Sequence, residues 1–301
     1  MPDFSDTERR LIQLLEVGSK FHFEGVEYTV SAPSCKPTVA KGECKTDVYV
    51  QTTSAQGEKV VKISVKQKNA DFLENKIKHE RAVEIFGENA DEIIMRATES
   101  IKEQFLKTPI VFFSKKGHTD AKSITLGWKF EFVNKDGGVL SASMGLSRQQ
   151  IIDVYSGTTL PEDKKNAIVN GKVVENSGVA DYILVIDQEE DITIADFENS
   201  LQTIEHFVDT EQPTIYFACK ALNYRAEKDK WDGDRPLSVY VDWQVKEGKL
   251  SAELKFDRPL TIKGNEVGNK LRHALSELHI DANNFEQLKG LLNNDCTIVE
   301  E

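Results

Sequence analysis

Two neighbouring stretches of alternating apolar and polar residues dominate the first third of the chain. In 59–67 the residues Val61, Ile63 and Val65 alternate with Lys62, Ser64 and Lys66, and in 46–52 Val48 and Val50 alternate with Asp47 and Tyr49. Period two with β-branched residues predicts half-buried strands. The linking Ser54-Ala55-Gln56-Gly57 has turn chemistry, so the two read as a hairpin. A two-residue loop at Gln56-Gly57 sets Tyr49 opposite Ser64 and Asp47 opposite Lys66.

Upstream, Ser5-Asp6-Thr7-Glu8 reads as a capping box opening a helix that carries Leu11, Ile12, Leu14 and Leu15 and stops at Gly18. Phe21–Phe23 and Val26–Val30 flank Glu24-Gly25 as a second hairpin, and 33–41 reads as a loop. Downstream, 70–86 reads as a helix ended by Gly87. On its wheel Leu73 and Ile77 share a bearing, and Glu80 falls among the apolar positions beside Glu84 and near Lys76. A carboxylate in such a stripe calls for a cation or a lysine partner.

Further helices are expected at about 90–107, 148–155, 194–207, 267–278 and 285–292. Strands are expected at 109–114, 123–133, 182–187, 214–222, 237–245 and 250–256, with a turn at Glu247-Gly248. The fold class is α/β: a mixed central sheet flanked by helices in 1–140, with an α+β extension in 141–301 for recognition or dimer contact.

Composition narrows the function classes. No run approaches the roughly 20 apolar residues of a membrane helix, and Met1-Pro2-Asp3-Phe4 lacks a secretory pattern, so the expected location is cytoplasmic. Cys35, Cys44, Cys219 and Cys296 form no CxxC pair and the six histidines form no HExxH, which argues against structural zinc or a disulfide framework. The net charge of −12 argues against nonspecific coating of nucleic acid. Locally the sign reverses: 36–86 holds ten Lys/Arg against seven Asp/Glu, which suits a basic cleft in an acidic body.

The candidate chemistry lies in this basic stretch. An aspartate, a Ser-x-Lys on the next strand and a glutamate on the following helix supply oxygen ligands for Mg²⁺ and a lysine to orient or deprotonate water. Lys45-Thr46-Asp47-Val48-Tyr49-Val50 followed by Lys62-Ile63-Ser64-Val65-Lys66 resembles the core of the PD-(D/E)xK nucleases, in which an acid opens one strand and a (D/E)xK tripeptide closes the next. Ser64 stands where that superfamily usually has an acid. A branch with serine there carries the acid on the next helix, fourteen residues past the lysine, which here is Glu80.

The resemblance covers about residues 40–85 and implies a restriction-endonuclease-like core. Asp47 and Glu80 would be metal ligands, Lys66 the catalytic lysine and Ser64 its support, for Mg²⁺-dependent cleavage of duplex DNA by a protein that can pair as a homodimer. Candidate DNA contacts are Lys45 and Lys68 beside the hairpin, and Tyr224, Arg225, Lys228, Lys230, Trp231 and Arg235 in a polar, aromatic loop. Two rivals stand beside this reading. One is the same fold with catalysis lost, motivated by Ser64. The other is an acidic DNA mimic, motivated by the net charge.

Overall fold

The computed structural model describes residues 4–67, 72–74, 77–186 and 192–299. The chain forms two compact units that are interleaved in sequence rather than consecutive halves. The first holds 1–70, 84–87 and 146–213, and the second holds 71–83, 88–145 and 214–301.

The first unit opens with helix α1 (Phe4–Leu14), followed by strands β1 (Lys20–Phe23), β2 (Val26–Val30), β3 (Val48–Ser54) and β4 (Gly57–Gln67). These four strands form an antiparallel meander. Glu24 and Gly25 both have positive φ, as a tight two-residue hairpin requires.

The chain then builds the first part of the second unit: β5 (Phe72–Glu74), α2 (His79–Phe86, whose residues from 84 on count with the first unit), α3 (Ala90–Glu99), α4 (Lys102–Lys107), β6 (Val111–Phe112), β7 (Ser123–Val133) and β8 (Ser141–Ser143). It returns to the first unit with α5 (Arg148–Ser156), α6 (Glu162–Lys165), the small hairpin β9 (Ile168–Val169) and β10 (Lys172–Val173), then β11 (Tyr182–Ile186), α7 (Ile194–Ser200), β12 (Leu201–Thr203) and α8 (Ile204–Glu211). The rest of the second unit is β13 (Tyr216–Arg225), β14 (Val239–Lys246), β15 (Lys249–Lys255), α9 (Gly264–Glu277) and β16 (Ile298–Val299).

In the first unit β11 lies parallel to β4, with Ile183 beside Ser64 and Val185 beside Lys66, and β12 closes the sheet antiparallel to β11. The sheet order is β1-β2-β3-β4-β11-β12, a mixed sheet. The alternation of β3 and β4 sends Val48, Val50, Val61 and Ile63 into a core shared with Leu11 and Leu15 of α1, Phe21 of β1 and Phe197 of α7. Phe21 stacks on Tyr28 and meets Phe197 edge-on at 5.2 Å. The unbroken apolar run of β11 suits a strand covered on both faces.

The second unit is centred on β7. Its strands run β15-β14-β7-β13-β8, with β5 and β6 also pairing β7 and β16 pairing β6. Trp128, Phe130 and Phe217 fill its core. Among the described residues no helix is long and apolar enough to cross a membrane, and the four cysteines are free.

Several boundaries differ from those read in the sequence. The expected helix over 70–86 is helical only from His79. Phe72–Glu74 is a strand because β7 offers it a pairing partner, and a short apolar run takes whichever period its neighbours satisfy. The expected helix over 194–207 is two, α7 and α8, each with its own threonine N-cap at Thr193 and Thr203. The segment 285–292 is a 3₁₀ turn over Phe285–Leu291.

Candidate active site

The β3–β4 turn decides what faces Asp47. Its two central residues are Ala55 and Gln56, with Ser54 paired to Gly57. The Ser54 hydroxyl accepts the Gln56 amide at 3.1 Å and donates to the Gly57 carbonyl at 3.2 Å, which draws the turn one residue earlier than Gln56-Gly57. The register therefore sets Tyr49 opposite Lys62 and Val48 opposite Ile63, a slip of two residues from the expected pairing. A slip of two keeps every side chain on its face but moves it about 7 Å along the strand. Asp47 is consequently not opposite Lys66.

The Asp47 amide instead donates to the Ile63 carbonyl at 2.8 Å, and its carboxylate accepts the Val65 amide, also at 2.8 Å. Beyond the start of β3 the Val65 N–H has no strand carbonyl to meet, and the Asp47 side chain takes that place. The preceding residues are held from the other side, where the Lys45 and Thr46 amides both donate to the Gly178 carbonyl at 2.9 and 3.2 Å. The stem of Lys45 lies against Gly157.

Ser64 and Lys66 share the face of β4 opposite the apolar core. Ser64 is fully buried, and its hydroxyl, like that of Thr46, has no hydrogen-bond partner among the described residues. A buried hydroxyl without a partner is uncommon and calls for a reason. Lys66 is half-buried. On the same strand Lys62 is engaged, donating to the Asn176 carbonyl at 3.0 Å and pairing with Asp181 at 3.2 Å. Among the described residues nothing holds the Lys66 ammonium.

Sequence reasoning missed Glu8. Its Ser-x-x-Glu context reads as a helix cap, yet α1 starts at Phe4, one residue before Ser5. Glu8 sits three and seven residues before Leu11 and Leu15, on the helix face that enters the core. There its carboxylate, only 14% exposed, accepts from the Lys36 ammonium at 2.7 Å. Lys36 is placed by the loop after β2: Cys35 and Tyr49 exchange backbone hydrogen bonds, which lays Lys36 beside the opening of β3.

Burial pushes the Glu8 carboxyl above its ordinary range, the Lys36 hydrogen bond opposes this, and the nearby charges of Asp47 and Glu43 add to the rise. Burial works against the Lys36 ammonium, but Glu8, Asp47 and Glu43 outweigh it and raise its pKa. The Cys44 thiol is pushed up by burial and then by Asp47. Glu8, Lys36, Glu43, Cys44 and Asp47 are thus electrostatic neighbours. Among the described residues no three His, Cys, Asp or Glu side chains are arranged to hold a metal ion.

Glu80 does not lie in an apolar stripe. It is exposed in the first turn of α2, because the helix lacks the turns that would have carried Leu73 and Ile77 onto its wheel. It belongs to the second unit, where it lines a groove of about 380 Å³ with His79, Asp234, Pro236, Thr261 and Lys263. Glu84 is held by Lys164 at 2.6 Å within the first unit. Lys68 and Lys76 lie outside the described residues.

The 223–235 segment divides between inward and outward residues. Tyr224 is buried and donates to Asp229 at 2.9 Å. Trp231 donates to Asn265 at 2.9 Å and is covered by the Arg272 guanidinium, 4.5 Å from its ring centre. Arg225 pairs with Asp232. These three have internal partners, whereas Lys228, Lys230 and Arg235 are exposed. No family model, curated protein or solved structure matches the chain.

Proposed function

We propose that the chain is a Mg²⁺-dependent DNA endonuclease of the PD-(D/E)xK kind, cutting phosphodiester bonds of duplex DNA. The observation that carries this reading is the adjacency, in one mixed sheet, of Asp47 at the opening of β3 and Ser64-x-Lys66 at the close of β4, with the Lys66 ammonium held by no other group among the described residues.

The donor chemistry suits Mg²⁺, which is commonly held by one or two carboxylates together with substrate phosphate. Asp47 has lone pairs beyond the one facing Val65, and Glu8 brings a second carboxylate to its neighbourhood. The Ser64 hydroxyl is buried on the Lys66 face without a hydrogen-bond partner among the described residues. Asp47 and Glu8 would hold the ion. Bound Mg²⁺ would supply a water of lowered pKa and offset charge at phosphorus. Lys66 would orient that water or take its proton, and would balance the charge of the scissile phosphate. Cutting both strands favours a homodimer, and free thiols suit the cytoplasm.

A second reading has its own observation. The Asp47 carboxylate already caps the Val65 amide, which is a sufficient structural reason for an aspartate there and leaves room for the same fold with catalysis lost. Incubating supercoiled plasmid with the protein and Mg²⁺ separates the two. Lys66→Ala is expected to slow cutting by about 10²-fold or more, and EDTA to stop it. Equal nicking by wild type and Lys66→Ala, or none by either, favours the binding module.

If Lys228, Lys230 and Arg235 meet phosphate, replacing all three with glutamine should flatten the slope of log K against log salt by about 1 for each contact removed. Absence of any salt-dependent DNA binding by the wild type would support the acidic DNA mimic instead.

A further inference from the structure

We propose that the free edge of β14 is a self-pairing surface, on which two copies of the chain join their second-unit sheets antiparallel about a two-fold axis at Gln244. It gives a surface to the homodimer that double-strand cutting favours, but it stands on the second unit alone and does not depend on the nuclease reading.

β14 pairs β15 from Tyr240 to Lys246, yet it pairs β7 only at Val239 and Tyr240. Past that point β6 takes the edge of β7: Val111 lies opposite Ile124, and the Thr125 amide donates to the Ile110 carbonyl at 2.8 Å. The Trp243 indole bridges the divergence, donating to the Thr125 carbonyl at 3.0 Å. The Ser238 amide donates to the Trp128 carbonyl of β7, and alternation from there aims the backbone groups of Asp242, Gln244 and Lys246 away from β15. Among the described residues no strand meets those groups. Beside them runs a groove of about 540 Å³ between the strand and α9, lined by Trp243, Val245, Lys270, His273 and Ala274.

A free edge is adhesive, and proteins commonly blunt one with proline, a bulge or lysines alone. This edge has no proline, and it carries Asp242 and Lys246 two residues either side of Gln244. Antiparallel pairing about Gln244 sets Asp242 of each copy opposite the partner's Lys246, so both ends of the pairing carry opposite charges. Centring the pair on Asp242 or on Lys246 would set like charges opposite each other. Three residue pairs with outward backbone groups would exchange about six N–H···O bonds. On the other face the same register sets the partner's Val245 opposite Trp243, covering the apolar side of the groove. Asp242 now accepts the Gln244 side-chain amide at 2.6 Å and lies 3.7 Å from Lys270. Both of these partners are exposed and can turn aside.

The test is sedimentation velocity of the full chain at rising concentration in about 0.15 M salt. Wild type is expected to dimerise with a Kd on the order of 10 µM, as a short edge with a small apolar strip allows. Asp242→Lys and Lys246→Asp, each alone, face like charges across the axis and should raise Kd about tenfold or more. Mixed in equal amounts, the two variants are complementary and should form a heterodimer about as tight as wild type. Merely structural damage by either substitution would not be cured by mixing.

Hydrogen exchange on the wild type reads the edge without any substitution, and so serves even if a reversed variant fails to fold. The amides of Asp242, Gln244 and Lys246 should become protected as concentration rises. A wild type that stays monomeric up to about 200 µM, a Kd unmoved by the single reversals, no recovery on mixing, or unchanged exchange at these amides overturns the proposal, even where the protein cuts DNA. Pairing that follows the charges in a protein that never cuts leaves it standing while the nuclease reading fails.

Discussion

If the proposed nuclease reading holds, Asp47→Asn should leave the protein folded and all but abolish cleavage of DNA, whereas Asp47→Ala should lose both cleavage and stability. The asparagine side-chain carbonyl can still accept the Val65 amide that Asp47 now accepts at 2.8 Å, so the end of β4 stays capped. What it lacks is the negative charge that a divalent cation requires. Losing that interaction at the reacting phosphate removes several kcal/mol of transition-state stabilisation, about 10³-fold or more in rate.

Alanine removes the acceptor as well. The Val65 N–H is then orphaned beside a fully buried Ser64, at a cost of about 1–3 kcal/mol. Urea denaturation of the two variants measures the structural role and plasmid nicking the chemical one. Cutting by Asp47→Asn at the wild-type rate would remove the metal role. Equal denaturation midpoints for the two variants would show that the Val65 amide does not need its acceptor.

The contrast between β4 and its surroundings shows what the sequence could reveal. The alternation of Val61 and Ile63 with Lys62 and Ser64 told correctly which side chains enter the core, because a period of two survives any even slip in register. The slip itself was not legible: it depends on two hydrogen bonds of Ser54, whose competing turn choices look alike in sequence. Glu80 was placed on a helix wheel that the pairing of Phe72–Glu74 with β7 dismantles, and β7 begins about fifty residues later in the chain.

Glu8 is hidden by a strong local signal. Its capping-box context outweighed the fact that it precedes Leu11 and Leu15 by three and seven residues, which alone marked it as facing inward. The interleaving of the two units had no local signature either. It follows from β11 returning to pair with β4 after the long excursion through the second unit, and such non-local pairings leave no trace in a window of neighbouring residues.

The same non-local strap that completes the sheet also holds the candidate site in place, and Gly178→Ala should show it. A Cβ at Gly178 would stand 2.0 Å from the Lys164 carbonyl oxygen and 2.9 Å from Cys44 Cβ. The first of these is backbone and cannot turn aside as the end of a flexible side chain would. The Gly178 amide also donates to the Lys165 carbonyl at 2.8 Å, and its own carbonyl takes the Lys45 and Thr46 amides. Pushing the strap outward therefore loosens the two residues just before Asp47.

Overpacking against backbone belongs at the upper end of the usual penalty, about 3 kcal/mol or more. Under conditions where the variant remains folded, a displacement of Asp47 on the order of 1 Å would slow the proposed cleavage by about 10²-fold. Gly290→Ala is the control, since nothing lies within 4 Å of its Cβ position, and it should denature with the wild type. If Gly178→Ala also denatures with the wild type, the close approach of Gly178 to Lys164 is not a constraint on the fold. If it is destabilised yet cuts at the wild-type rate, the position of Asp47 does not depend on the strap.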